Sequence, residues 1–457
     1  MIRNNLVLIF IVLLFSIILI TTISKPIDLD REAYIVIIVF FITLFFWISK
    51  ITFYSITGIL ALVVLYLLGI DSFSSIFSGF SSQSWFFLLS VLILGEAILK
   101  TNIGKKSAII LLKITKGKKE ILALIMPFLL VLSALFIPSG SARTTILSPI
   151  LLESTKIKNF NFNEDDGFVR FLALNLGMLN PVSSLAFLSG GASTIIAAEI
   201  MNKYGVFTNW FSWCYKFFLP ITFILIVSSY LLFFIYKFLF SSEISVLNIS
   251  SSYFDICLNF RDIYVIVVII IVIIFWIIGS YINISNAIPP LLGIVLLYLP
   301  KLNICDENDL KNINWDLILF FGISISFANL IISTGAGEWF ARYIVLLSKA
   351  INFKNLYLRY FYFILLSIIR LFFPSLTTFF ICILPAIFSS ALVMGISLSE
   401  ISLVAILSGS VTFFPIQTVA SLIMFEKKYF KIFDTVICGL ILFFSNILLI
   451  TIIYYFF

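Results

Sequence analysis

Four short clusters of small and hydroxyl-bearing residues interrupt an otherwise apolar chain, and each could solvate an ion. The first is Ser139, Gly140, Ser141, Ala142, Arg143, Thr144 and Thr145, directly after Pro138. The second is Ser375, Leu376, Thr377 and Thr378, directly after Pro374. A third holds Ser189, Gly190, Gly191, Ala192, Ser193 and Thr194, and a fourth holds Ser408, Gly409, Ser410, Thr412, Pro415, Gln417 and Thr418. Hydroxyls and unwound carbonyls coordinate a small cation, while free N–H groups at helix starts favour an anion. Glycine lets a ligand approach the main chain itself. The same composition also makes close packing seams between membrane helices. A symmetric arrangement of four such clusters favours a site over four independent seams.

Charged residues inside the apolar stretches are few. Arg143 stands out, because an arginine at mid-bilayer costs about 2.5–3.5 kcal/mol on insertion scales and usually marks a pathway or a partner. Its charge suits an anionic substrate; a side chain snorkelling to the cytoplasmic mouth is the alternative. Arg370, just before the second cluster, admits both readings. Glu96 and Glu199 lie close to helix ends, where a solvated position competes with a proton-carrying one. The sequence contains no histidine, which removes histidine-ligated haem, HExxH zinc chemistry and every Ser-His or Cys-His pair. Cys214, Cys257, Cys305, Cys382 and Cys438 are widely spaced with no CxxC, so they read as apolar filler. An enzyme is therefore not expected, and no cofactor is called for beyond coupling ions.

The elements that must position these clusters follow from composition. Of 457 residues, 62% are hydrophobic and 11% charged, too little polar surface to coat a soluble domain. Lipid must be the main solvent. Net charge is +7, but the basic residues sit in short runs between apolar stretches, which argues for membrane orientation and against nucleic acid. Full spans are expected near 5–24, 33–49, 52–70, 84–99, 217–239, 262–283, 314–333 and 433–456, with a shorter one at 286–299. The first of these, long enough to span and lacking a small-residue cleavage site, is expected to be a retained helix. Four further apolar regions, 120–152, 168–201, 357–394 and 400–425, are broken by Pro, Gly or Ser/Thr. Backbone opened in this way persists at membrane depth only where protein or a water-filled cavity surrounds it.

Two of the broken regions repeat one another. FIPSGSARTTILSP (136–149) and FFPSLTTFFICILP (372–385) carry their prolines at the same spacing, Pro138 to Pro149 and Pro374 to Pro385. Each follows a Trp-led apolar helix ending in Thr and Gly, and each precedes a broken helix with a Ser-Gly pair, Ser189-Gly190 or Ser408-Gly409. Five parts are expected: an N-terminal helix and linker (1–32), a first repeat (33–201), a linking helix and cytoplasmic loop (202–261), a second repeat (262–425) and a C-terminal helix (426–457). Tracing from a cytoplasmic N-terminus places the lysines between Lys100 and Lys119 inside, and about 19 of the 29 basic residues fall there, as the positive-inside rule requires. The two hairpins then enter from opposite sides. The expected fold is thus an all-α polytopic membrane protein with two inverted repeats, two re-entrant helical hairpins, two broken helices and about 11 transmembrane segments, an arrangement associated with alternating-access transport.

At these residues the chain resembles the divalent anion/sodium symporter family, within the superfamily that also holds arsenite permeases and sodium/proton antiporters. EAYIVIIVFFITLFFWISKI resembles the family's opening helix, with Lys50 where an acid is usual. AILKTNIGKKSA resembles its interfacial stretch, PSGSARTTILSPI its first hairpin motif, PSLTT its second, and FFPIQTVASLIMFEKKYF its last broken helix. Gly140 and Leu376 depart from the usual polar residues, and Thr194-Ile195 stands where an Asn-Pro pair is common. The resemblance implies sodium-coupled transport of small dicarboxylates or other divalent anions by an elevator-type movement, in a homodimer in a bacterial inner (plasma) membrane. It assigns substrate contacts to Ser139, Gly140, Ser141, Arg143, Thr144, Ser375, Leu376, Thr377, Thr412 and Gln417. Sodium contacts would be Ser139, Ser141, Gly190, Gly191 and Ser193 in one half, and Ser375, Thr377, Thr378, Gly409 and Thr412 in the other. A sodium/proton antiporter or oxyanion efflux permease is the alternative on the same fold, with Glu96 or Glu199 as its ionisable group.

Overall fold

The computed structural model describes residues 26, 28–49, 52–101, 103–115, 118–153, 167–238, 259–300, 304–350 and 355–456. The span expected at 5–24 lies outside the described residues. Among them the secondary structure is entirely helical.

The first half contains α1 (Arg31–Ser49), α2 (Tyr54–Leu67), α3 (Gln83–Leu99), α4 (Ile103–Ile114), the hairpin arms α5 (Lys119–Phe136) and α6 (Gly140–Glu153), a broken helix made of α7 (Gly167–Leu174) and α8 (Ala192–Lys203), and α9 (Trp210–Lys237). The second half runs in the same order. It contains α10 (Phe260–Tyr281), α11 (Ile288–Leu297), α12 (Trp315–Ser333), α13 (Ala336–Ala350), the arms α14 (Asn355–Arg370) and α15 (Leu376–Met394), a broken helix made of α16 (Leu398–Ser410) and α17 (Val419–Glu426), and α18 (Ile432–Phe456). Seven helical stretches among the described residues are long and apolar enough to cross a membrane, and shorter apolar helices accompany them. α10 is dominated by Ile and Val, poor helix formers in water; in lipid no other conformation satisfies its backbone.

The halves are opposed. The 3-10 turn just before α3 (Ser78–Ser81) is crossed by the middle of α12: Gly79 N donates to Ser326 Oγ at 3.1 Å, and a Cβ on Gly79 would lie 2.0 Å from Gly322 O. At the far end of α3 Lys100 pairs with Asp309, just before α12 begins. The two helices therefore run antiparallel. The hairpins exchange partners in the same sense, since α8 of the first half packs on α15 of the second and α17 of the second packs on α6 of the first. On the outer side of the broken helices α9 meets α18, with Ser228 donating to Ser445 at 3.2 Å. Each of these helices also holds a broken helix: Ser229 Oγ donates to Asn175 Oδ1 at 2.8 Å, and Asn446 Nδ2 donates to Ser410 Oγ at 3.0 Å.

The breaks differ in form. In the first half α7 leads through a π turn (Asn175–Leu179) and short turns around Asn180-Pro181, and reaches extended backbone at Gly191 before α8 starts. In the second, the Ser408-Gly409 pair remains inside α16 and the chain opens only at Val411–Phe414. Gly409 stays helical because it is a contact point: a Cβ there would meet Leu376 Cδ1 at 2.7 Å and Phe380 Cζ at 2.8 Å.

Candidate functional site

Four helices begin at one place. Ser139 Oγ accepts from Ala142 N at 3.3 Å at the start of α6, and Ser375 Oγ accepts from Thr377 N at 3.2 Å at the start of α15. Thr418 Oγ1 accepts from Ser421 N at 3.2 Å at the start of α17, and Gly191 precedes α8. All four starts line a single cavity of about 240 Å³, together with Ser184, Arg370, Gly409, Ser410, Thr412 and Gln417. Each start contributes unpaired N–H groups and the positive end of a helix dipole. A second cavity of about 360 Å³ adjoins it, shares Ser139, Ser141, Ser375 and Thr377, and extends past Glu96, Asn314 and Asp316.

The hairpin tips and the breaks are brought into contact as the sequence suggested. A Cβ on Gly191 would lie 3.5 Å from Pro138 O, and one on Gly190 only 2.0 Å from Ser184 O. At Gly190 the main chain is so close that no other residue fits. Ser193 lines the cavity beside them. In the second half Thr378 Oγ1 donates to Ser375 O at 2.9 Å, and Thr377 and Thr378 both face the larger cavity.

Two arginines hold the tips in matching ways. Arg143 Nη1 donates to Ile137 O at 2.6 Å, the carbonyl before Pro138. Arg370 Nη1 donates to Phe373 O, the carbonyl before Pro374. Each also reaches the broken helix of its own half: Arg143 Nη2 to Asn180 O at 3.0 Å, and Arg370 Nη2 to Gln417 O at 3.2 Å. A proline cannot continue the hydrogen-bond ladder of the arm before it. The guanidinium takes up the carbonyl left over and places a cation at the negative end of that arm.

This geometry corrects the expectation for Arg143 and Thr144. Arg143 is fully buried and lines neither cavity. Its Nε donates to Asn180 Oδ1 at 2.8 Å and its Nη2 also reaches Ser184 Oγ at 2.6 Å, so it neither faces a ligand nor snorkels to water. Thr144 is equally buried, donating to Leu176 O at 2.6 Å and accepting from Asn180 Nδ2 at 2.8 Å. Gln417 lines the cavity, but its amide is committed: Oε1 accepts from Phe413 N at 2.7 Å and Phe414 N at 2.9 Å, and Nε2 donates to Arg370 O at 3.0 Å. Leu376 lines the cavity with its side chain against Gly409. Thr412 is the opposite case, for its buried hydroxyl has no hydrogen-bond partner.

Sequence reasoning missed Asn180, the hub of the first half. It ties Gly140 O (2.8 Å), Thr144 and Arg143 into one network. The signal was present: an Asn-Pro pair inside an apolar run, at Asn180-Pro181 and not at 194–195. Of the two glutamates, Glu96 lines the larger cavity, whereas Glu199 accepts from Ser84 and lies 3.7 Å from Lys203, away from both cavities. Among the described residues no group of His, Cys, Asp and Glu is arranged to hold a metal ion.

Comparison with known proteins agrees with this architecture. The family profile described as "Sodium:sulfate symporter transmembrane region" matches residues 4–457. The Bacillus subtilis (strain 168) protein named "Putative malate transporter YflS" is 24% identical over 330 residues, covering 70% of this chain and 68% of its own. "Uncharacterized transporter MJ0672" of Methanocaldococcus jannaschii is 25% identical over 229 residues, 48% of each chain. Among solved structures, the YdaH transporter of Alcanivorax borkumensis superposes with a TM-score of 0.54 at 15% identity over 84% of this chain and 88% of its own, a likeness of fold. Matched along almost its whole length, with opposed helical halves and paired broken hairpins, this chain belongs to the sodium:sulfate symporter family of multi-pass membrane transporters.

Proposed function

We propose that the protein is a secondary active transporter that carries a small divalent anion, sulfate or a dicarboxylate such as malate, coupled to sodium. The observation that carries this reading is the convergence of four half-helix N-termini on one cavity of about 240 Å³. Their dipoles favour negative charge at a depth where lipid would exclude it. A volume of that size suits a small organic or inorganic anion. The hydroxyls and carbonyls beside the glycine-rich break supply the complementary chemistry for sodium, with Ser139, Ser141, Gly190, Gly191 and Ser193 on one side. Ser375, Thr377, Thr378 and Thr412 are their mirror, and Gly409 keeps that side closely packed.

Glu96, Asn314 and Asp316 line the larger cavity at the end of α3 that the lysine-rich segment marks as cytoplasmic. We read the conformation as open towards the cytoplasm, and the transport step as an elevator-type displacement of the hairpins and broken helices against α3 and α12. A homodimer in the bacterial inner membrane completes the proposal.

Flux into proteoliposomes tests it directly, with sulfate, malate, succinate and phosphate each offered with and without an inward sodium gradient. Uptake of a divalent anion that collapses when potassium replaces sodium is the expected result. Uptake indifferent to sodium would overturn the coupling, and uptake of monovalent or neutral solutes alone would overturn the substrate class. Ser141→Leu combined with Thr377→Leu should abolish uptake while the protein still inserts. Because Glu96 lines the cavity, a proton-coupled antiporter is the second reading; it requires Glu96→Gln to abolish proton movement coupled to transport.

A further inference from the structure

We propose that Arg370, through its Nε–H, and the Thr412 hydroxyl together form the direct contact for one anionic oxygen of the substrate, on the second-half side of the central cavity. This rests on the anion-transport reading above and names the charge that would recognise the substrate.

The two arginines are equivalent in the repeat but not in their hydrogen bonding. Arg143 uses its Nε on Asn180 and lines no cavity. Arg370, equally buried, uses only Nη1 and Nη2 on the carbonyls of Phe373 and Gln417; its Nε has no partner, and the residue lines the cavity. Thr412 lines the same cavity, is 3% exposed and also has an unpartnered side-chain atom. Of the buried side-chain atoms left without a partner among the described residues, Arg370 Nε and Thr412 Oγ1 are the pair whose residues line this cavity, and buried donors are normally satisfied.

Charge points the same way. Among the described residues no carboxylate forms an ion pair with either arginine. The ring of Phe379, its centroid 5.9 Å from the Arg370 guanidinium, gives only partial compensation. Glu96 and Asp316 line the neighbouring cavity and not this one. An unpaired buried guanidinium is costly, and a carboxylate or sulfate oxygen at Nε would supply both the missing acceptor and the missing charge. The Gln417 amide cannot take that role, being held by Phe413, Phe414 and Arg370. The first half offers no open guanidinium, so the anionic group is drawn off the pseudo-symmetry axis towards the second half.

The experiment measures thermal stabilisation of the purified full-length protein by sodium sulfate and by sodium succinate, at constant sodium, for wild type, R370Q, R370K and T412V. The half-saturating anion concentration is expected to rise about tenfold or more in R370Q, the size expected when a charge-assisted hydrogen bond is lost. R370K, which keeps the charge but not the Nε–H, should fall between, and T412V should also weaken. Separate measurement of each unliganded unfolding temperature distinguishes lost affinity from lost stability. Should R370Q fail to fold, R370K and T412V still decide, and wild-type affinity in both would overturn the proposal. Wild type stabilised by divalent anions with all variants matching it would sink only the Arg370 assignment. Wild type stabilised by neither anion would take down the anion reading and this contact with it.

Discussion

Gly190 and Gly191 are neighbours with different duties. A Cβ on Gly190 would lie 2.0 Å from Ser184 O, backbone that cannot step aside, whereas on Gly191 it would meet Pro138 O at an ordinary 3.5 Å. Gly190→Ala should therefore cost about 1–3 kcal/mol of stability and abolish uptake, while Gly191→Ala folds and changes sodium dependence alone. Unfolding in detergent and sodium-titrated flux give the two readouts. Asn180 makes a second test at this scale. Asn180→Leu leaves Arg143 Nε, Gly140 O and Thr144 without their partner, and a loss of at least about 2 kcal/mol is expected. A stable, active Asn180→Leu protein would show that the network is dispensable.

Helix ends and helix crossings carry the next level of organisation. α15 starts on the Ser375 hydroxyl and stops at Gly395, which takes the left-handed conformation at φ 67° that glycine alone adopts freely. Ser375→Ala removes the cap, at about 1 kcal/mol, and also one of the hydroxyls proposed to bind sodium. Its half-saturating sodium concentration should rise by more than its stability falls; a change in stability alone would reduce Ser375 to a cap. Where the 3-10 turn leading into α3 crosses α12, Gly79 and Gly322 let two main chains touch, with a Cβ on Gly322 reaching Phe80 at 2.7 Å. Gly79→Val should push this turn off α12 and lower the yield of folded protein without altering the hairpin tips, as seen by size-exclusion profile and unfolding temperature.

For the whole molecule, opposed halves fix which loops share a side of the membrane. Lys118 precedes the first hairpin on the lysine-rich side, and Gly205 follows α8 on the other. Cysteine placed at 118 should react with an impermeant thiol reagent only from the cytoplasmic face, and cysteine at 205 only from outside. Labelling of both from one face would contradict the inversion on which the shared cavity depends. Within that frame α9 and α18 stand in equivalent places, each following a broken helix and each tied to it by an Asn side chain. We therefore extend each repeat unit by one helix beyond the boundaries at 201 and 425.

Much of this was legible in the chain. Composition required lipid, paired prolines and glycine-hydroxyl clusters required protein-enclosed breaks, and tracing the successive crossings made the two hairpins enter from opposite sides, because each of these follows from local backbone chemistry and solvent preference. Ser139, Ser141, Ser375 and Thr377 were recognisable as cavity-facing for the same reason. What the sequence could not decide was the direction of individual side chains. Arg143 and Arg370 look alike as lone charges beside proline, yet one is closed by Asn180 and the other keeps an open Nε, since only the packing of a broken helix on each tip determines which donors are used. Asn180 went unnoticed because its three partners lie 36 to 40 residues away and become neighbours only when hairpin and broken helix fold together. Local pattern marked the hairpin tips at Pro138 and Pro374; the packing of each half's broken helix on its own tip decided which of the exposed groups remain free for an ion.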